Sequence, residues 1–241
     1  MAQYVYGKNV VKQLLNDDKK IYEVLIQEGM KDRSFEDLLK QKKIPVRVLN
    51  KKKLEALLKT DHHQGIAASI DEYKTYSVDE ILKAVPAGKT PLLVMLDSLE
   101  DPHNLGAILR TCDCVGADGV IIGKHRSVQL TPTVAKVSTG AIDTVKVAVV
   151  TNLVQTIKDL KEKGFWAVGA DAHDAKDYRE GQYDVPLLLV IGSEGFGISN
   201  LVRKNCDYCI ALPMAGSVTS LNASVACSIL LYEIYSHRHP L

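Results

Sequence analysis

From residue 91 onward, apolar residues come in short, nearly unbroken runs, set apart by stretches where apolar and polar positions recur at helical spacing. The runs Leu92–Leu96, Val120–Ile122, Val145–Val149, Trp166–Ala170, Leu187–Ile191 and Tyr208–Leu212 predict strands. Strands apolar on both faces belong to a parallel sheet covered by helices on both sides. The intervening pattern predicts helices over Leu105–Val115, Pro132–Val137, Leu153–Lys163 and Ala223–Tyr235, the second opened by a Thr131–Pro132 pair. The layout is doubly wound α/β, and ligands of such folds sit beyond the carboxyl ends of the strands.

Residues 1–72 alternate shorter pieces: extended Tyr4–Gly7, helical Val10–Leu15, strand Ile21–Gln27, helical Phe35–Lys40, strand Pro45–Leu49, a helix Lys51–Lys59 capped by Asn50, and a closing strand Gly65–Ile70. This predicts a separate α/β domain. Residues 73–90 are a polar connector. Within it Ser77 and Glu80 form a capping-box pattern for a helix Val78–Val85, and Pro86-Ala87-Gly88 breaks that helix. The second domain then covers residues 91–241.

At 241 residues and 46% hydrophobic, the chain can build real cores. Its net charge of +1 is unevenly spread. Residues 1–72 carry 14 Lys/Arg against 11 Asp/Glu (+3), and residues 90–241 carry 13 against 16 (−3). Lys40, Lys42, Lys43 and Lys51, Lys52, Lys53 cluster in the first segment; such clusters hold phosphates or simply form a solvated surface at a turn. No run of 18 apolar residues suggests a membrane span, and the start MAQYVYGKNV lacks a secretory layout, so a cytoplasmic protein is expected. The five cysteines include one CxxC, Cys206 and Cys209, without the further ligands that tetrahedral zinc needs; reduced thiols are expected. Asp171, His173 and Asp174 look metal-like but supply too few ligands, and a polar turn is the expectation there, as it is for His62-His63-Gln64-Gly65. No metal is expected.

Three strand-end loops carry the chemistry: DSLEDPHNLGAILR (97–110), IGSEGFGIS (191–199) and ALPMAGSVTSLNASVACSILLYEI (211–234). The second reads G-x-x-G-x-G, not the dinucleotide fingerprint G-x-G-x-x-G, and no long helix follows it directly. Its glycines let backbone approach a ligand closely, or merely serve a turn. Asn104 and Asn222 each have the simpler role of helix N-cap open to them. Arg110 is a lone arginine in a largely apolar helix, either solvent-facing, ion-paired or placed for a ligand. Leu212 and Leu221 taken alone are core residues.

Together these loops resemble the three motifs of the SpoU branch of the SPOUT RNA methyltransferases, and more closely its TrmH/RlmB-type ribose 2'-O-methyltransferases. The resemblance is strong over residues 90–241 and weaker over 1–72, which resemble the ribosomal-protein-L30-like RNA-binding domain of that family. It implies a C-terminal trefoil knot whose turns bind S-adenosylmethionine, with contacts on Gly192, Leu212 and Leu221 and on neighbouring Ile191, Met214 and Ser220. It implies catalytic roles for Asn104, Arg110, Glu194, Ser220 and Asn222. Glu194 and His103 fit the chemistry of a general base better than Arg110, which suits a phosphate clamp or alkoxide stabiliser. The substrate implied is RNA, a guanosine of 23S ribosomal RNA foremost, with transfer RNA or another ribosomal site as alternatives. A homodimer through the knotted domain is implied as well. The last predicted helix agrees, having Val225, Ile229, Leu230 and Ile234 together with Ala226 and Leu231 on more than one face. Two rivals of other classes are an RNA-binding assembly factor without chemistry and a nucleotide-dependent enzyme acting on a small molecule.

Overall fold

Seven short, apolar strands line up in one wholly parallel sheet in the C-terminal part of the chain, with a separate four-stranded sheet before it. The computed structural model describes residues 2–16, 20–30 and 32–240. Residues 1 and 241, the outer limits of the two expected domains, lie outside the described residues. The chain divides into two compact units after Tyr73.

In chain order the first unit contains β1 (Ala2–Tyr6), α1 (Lys8–Asn16), β2 (Ile21–Gln27), α2 (Arg33–Gln41), β3 (Val46–Leu49), α3 (Lys51–Leu58) and β4 (Ile66–Asp71). Its sheet is mixed, in the order β1-β4-β2-β3; β4 runs antiparallel to β1 and β2, and β3 parallel to β2. One face buries Val24, Ile66, Ala68 and Ile70 against Val11, Leu14 and Leu15 of α1 and Phe35 and Leu39 of α2. The alternate residues Leu25 and Ala67 meet Leu54 of α3 on the other face, as the two-residue period of a strand requires. The expected cap of α3 is present, with the Asn50 side chain accepting from Lys53 N at 2.9 Å. His62–Gly65 is a turn: His63 is buried, its Nδ1 accepting from Gly65 N.

The second unit contains α4 (Val78–Lys83), β5 (Leu92–Leu96), α5 (Pro102–Val115), β6 (Gly119–Gly123), α6 (Pro132–Val137), α7 (Ala141–Thr144), β7 (Val147–Val150), α8 (Leu153–Glu162), β8 (Trp166–Ala170), β9 (Ala175–Asp177), β10 (Leu187–Ile191), α9 (Asn200–Arg203), β11 (Tyr208–Ala211) and α10 (Ala223–Arg238). The sheet order is β7-β6-β5-β10-β8-β11-β9, every neighbouring pair parallel. From β8 the chain travels to the far edge at β9, returns past β8 to β10, and comes back to place β11 between β8 and β9.

Leu93, Met95, Ile121, Leu188 and Val190 pack into one layer with Ile81 of α4 and Ile157 and Leu160 of α8. Their strand neighbours, equally buried, face the opposite layer, where α5 and α10 pack together. Segment 74–90 packs with this unit; its Ser77–Glu80 capping box is formed and Ile81 is fully buried. Helix α10 crosses the sheet from one strand-end edge to the other. At its C-terminal end Arg238 donates to the carbonyls of Tyr183 (2.8 Å), Thr90 (2.9 Å), Pro91 (3.3 Å) and Val185 (2.8 Å), at the starts of β5 and β10.

The structure corrects the sequence-based elements in several places, among them the following. Strand β9 is a seventh strand where six were expected; its residues Ala-Lys-Asp have no apolar signature, and pairing with β11 alone makes them a strand. Val145 closes α7 and does not open β7, which starts two residues later. Helix α5 begins at Pro102, three residues earlier than expected, because Asp101 caps it through His103 N at 2.8 Å.

Candidate active site

Strand β10 delivers its chain to the ligand edge of the sheet at Gly192. A Cβ built there falls inside the van der Waals radii of Gly197 C and O and Ile198 N, so only glycine permits this close approach. The loop closes on itself through Ser193 N to Gly197 O (3.1 Å) and Gly197 N to Ser193 O (2.9 Å), leaving Glu194, Gly195 and Phe196 at its tip. Buried Asp97, just past β5, locks this loop in position. Its N–H donates to Ile191 O at 2.8 Å, and its carboxylate accepts Ser199 N at 2.8 Å and Ser98 Oγ at 3.1 Å.

Three side chains from the three loops meet here. Asn104, 5% exposed, donates its Nδ2 to Glu194 Oε1 at 2.7 Å and accepts at Oδ1 from Asn222 Nδ2 at 3.0 Å. Asn222 Nδ2 also donates to Glu194 Oε1, closing a triangle. The Asn222 Oδ1 meanwhile accepts from Ser224 N (2.9 Å) and Val225 N (3.3 Å), so this residue is the cap of α10 and a member of the triangle at once. Asn104 is not a cap: with Asp101 in that role it lies inside the first turn of α5. Both amide donors converge on one carboxylate oxygen, so Glu194 is fixed in orientation with its Oε2 left for an incoming group.

Beside the triangle lies a cavity of about 420 Å³, within the range of small-ligand pockets. Ile191, Gly192, Leu212, Met214, Ser220 and Leu221 all line it, as do Glu194 and Asp171. Leu212 and Leu221 therefore face the cavity edge and do not belong to the buried core. The Ser193 Oγ, which also borders the cavity, is buried without a hydrogen-bond partner among the described residues. A buried hydroxyl of that kind, flanked by exposed backbone and apolar side chains, fits a ligand with a few polar atoms on a largely apolar body.

Arg110 does not join the triangle. It stands on the exposed face of α5, without a hydrogen-bond or ion-pair partner among the described residues. On the same helix Thr111 and Ser228 of α10 share a hydrogen bond of 2.8 Å, which joins α5 to α10. His103 is exposed beside Asp101. Ser220 lines the cavity from an exposed loop.

Asp171 is the cavity residue that sequence reasoning assigned elsewhere. Its Oδ1 accepts from His173 N at 2.9 Å, forming the expected polar turn, and lies 3.7 Å from Arg203. Its position after β8, at the same sheet edge as Gly192, is the signal that points to the cavity. Among the described residues no group of three His, Cys, Asp or Glu side chains is set to hold a metal. Burial pushes the Cys206 thiol up to about 12, which suits a neutral packed sulfur.

Residues 91–232 match the SpoU rRNA Methylase family, and residues 4–76 match the RNA 2'-O ribose methyltransferase substrate binding family. The chain is 47% identical over 242 residues to the Bacillus subtilis protein named "Putative TrmH family tRNA/rRNA methyltransferase YacO", covering 99% of this chain and 97% of that one. The solved SpoU methyltransferase AviRb from Streptomyces viridochromogenes, in complex with AdoMet, superposes with a TM-score of 0.65 at 26% identity, over 98% of this chain and 90% of that one. The AdoMet-bound rRNA methyltransferase from Sinorhizobium meliloti shares the fold, with a TM-score of 0.64 at 23% identity, over 100% and 88% of the two chains. AdoMet, S-adenosylmethionine, is the cofactor of this family. The chain belongs to the SpoU family of S-adenosylmethionine-dependent RNA 2'-O-ribose methyltransferases, with the family's substrate-binding domain preceding its parallel-sheet domain.

Proposed function

We propose that this protein methylates the ribose 2'-hydroxyl of a guanosine in 23S ribosomal RNA, acting in the cytoplasm as a homodimer. The string PMAGSVTSLNASVA, similar to the RlmB-type enzymes, favours that substrate over transfer RNA. The observation that carries the catalytic reading is the Asn104–Glu194–Asn222 triangle at the mouth of the cavity. Ile191, Gly192, Leu212, Met214, Ser220 and Leu221 would hold the cofactor, through backbone and apolar contacts.

When bound, S-adenosylmethionine supplies a methyl group on a sulfonium, which passes to the ribose oxygen. The protein's share is to orient that oxygen and remove its proton. The free Glu194 Oε2 accepts the hydrogen bond of the 2'-hydroxyl and receives its proton as the O–C bond forms. Asn104 and Asn222 hold the carboxylate in line, so most of the acceleration comes from positioning. Ser220 orients the ribose from the cavity side. Arg110 clamps an RNA phosphate or the developing alkoxide with its planar fork.

The exposed face of α10 supports the dimer: Val225, Ile229, Tyr232 and Tyr235 are apolar and exposed. Incubation with methyl-labelled S-adenosylmethionine and unmodified 23S ribosomal RNA, with transfer RNA in parallel, tests the reading. Label in one ribose of 23S RNA is expected, and lost in Arg110→Lys. Label in transfer RNA alone would replace the substrate; no label on any RNA would favour an assembly factor.

A further inference from the structure

Phe196 is 95% exposed, the most exposed of the large apolar side chains among the described residues. It is held there. The Ser193–Gly197 hydrogen bonds pin the loop, Gly197 turns it with φ of +62°, and Gly195 beside the ring faces open space. Phe196 is two residues from Glu194, so their Cα atoms are at most about 7 Å apart. The ring borders the cofactor cavity on one side.

Three residues further along, the same loop lines a second cleft, of about 240 Å³, through Ser199. Lys124, His125 and Arg126 line it from the loop after β6, all exposed and without a charged partner among the described residues. The one acidic side chain there, Asp97, is buried, and its carboxylate is taken up by Ser199 N and Ser98 Oγ. The cleft is therefore cationic, and the loop on its wall carries, three residues before Ser199, an aromatic ring presented to solvent at the cavity that also holds Glu194. The facing loop, which gives Thr219, Ser220 and Leu221 to the cavity, adds Val218, 70% exposed.

We infer that this is the track of an unstacked RNA strand: Phe196 stacks on a nucleobase at or beside the methylated nucleotide, and Lys124 and Arg126 hold the neighbouring phosphates. The inference rests on the RNA-methylating reading above. Stacking on an aromatic ring is sequence-tolerant, because every base has a π-face, so Phe196 holds the strand without choosing the base. A structured RNA presents a ribose to a recessed site only when the nucleotide leaves its stack, and a ring waiting outside compensates the lost stacking.

The test uses the full chain. Phe196→Trp in a Trp166→Phe background leaves one reporter, since Trp166 is the only tryptophan. Addition of a short single-stranded RNA oligonucleotide is expected to quench its fluorescence. Phe196→Ala is expected to weaken RNA binding by about 5- to 150-fold while affinity for S-adenosylhomocysteine stays unchanged, and Phe196→Tyr to restore it. Lys124→Ala with Arg126→Ala is expected to lower the slope of log affinity against log salt by about 1.4, the share of two phosphates on a single strand. Weakened S-adenosylhomocysteine binding with RNA affinity intact would assign the ring to the cofactor and overturn the inference, as would no change in either. If wild type labels RNA and Phe196→Ala does so with the same KM for RNA, the inference falls and the enzymatic reading stands. If wild type labels nothing yet RNA quenches the reporter, the enzymatic reading falls and the strand track stands.

Discussion

Asn104 and Asn222, 118 positions apart in the chain, are joined by a 3.0 Å hydrogen bond, and both donate to the same oxygen of Glu194. The bond ties the first turn of α5 to the cap of α10. Replacing Asn104 by Ala removes one donor to a charged acceptor and leaves Asn222 Nδ2 short of a partner. Hydrogen bonds to charged groups contribute about 1.5–3 kcal/mol, so kcat is expected to fall by about 10- to 150-fold. Steady-state kinetics with RNA as the varied substrate reads this; a change confined to the KM for S-adenosylmethionine would contradict it.

Gly192→Ala is expected to abolish cofactor binding. The added methyl group meets the backbone of Gly197 and Ile198, which cannot swing aside as a side chain tip can. The loop has to open, at a cost of about 1–3 kcal/mol in stability. Calorimetric titration with S-adenosylhomocysteine and a thermal melt, run on one preparation, read both effects.

The thiols give a prediction in pH. Burial pushes Cys206 and Cys227 up to about 12, and Cys112 also upward, while Cys114 is exposed. In the unfolded chain these thiols ionise near their ordinary value of 9. The folded state therefore holds more protons between pH 9 and 12, and the stability from keeping the thiols neutral is complete below pH 9 and lost as pH rises through that window. Denaturant melts at pH 8 and pH 10.5 are expected to show lower stability at the higher pH. At pH 8 a thiol reagent is expected to modify Cys114 well before the others.

Ile229 and Tyr232 stand on the exposed apolar face of α10. In the proposed dimer, Ile229→Glu with Tyr232→Glu buries unpaired charge at the contact, so light scattering at micromolar concentration is expected to report a monomer. Methyl transfer is expected to fall with it. A wild-type monomer with full activity would contradict the proposed dimer.

Much of this was legible in the residues themselves. The apolar runs place β5, β8, β10 and β11 to within a residue, because strands buried on both faces need nothing else to be seen. The caps at Asn50, Ser77 and Thr131 are each formed as their side-chain chemistry suggests. Other features depend on distant partners. Strand β9 exists only through β11, and four-residue helices such as α7 and α9 are too short to show a period. At the site, the six residues expected around the cofactor do line one cavity. The double role of Asn222 was hidden, since cap and site member look like alternatives until the contact across 118 residues is seen. Asp171 was hidden in a cluster whose composition suggests metal more readily than a cavity wall.

The grip of Arg238 on four carbonyls makes α10 a strut fastened at both edges of the sheet. Sixteen residues separate its ends by about 24 Å. Asn222 caps the near end, so the angle at which the helix leaves its far anchorage sets where that amide points. A lesion among the loops around Thr90 and Val185, at the opposite strand ends, would then be felt as misalignment at Glu194. In the proposed mechanism the underside of the sheet then aligns the proton acceptor as much as the upper rim does.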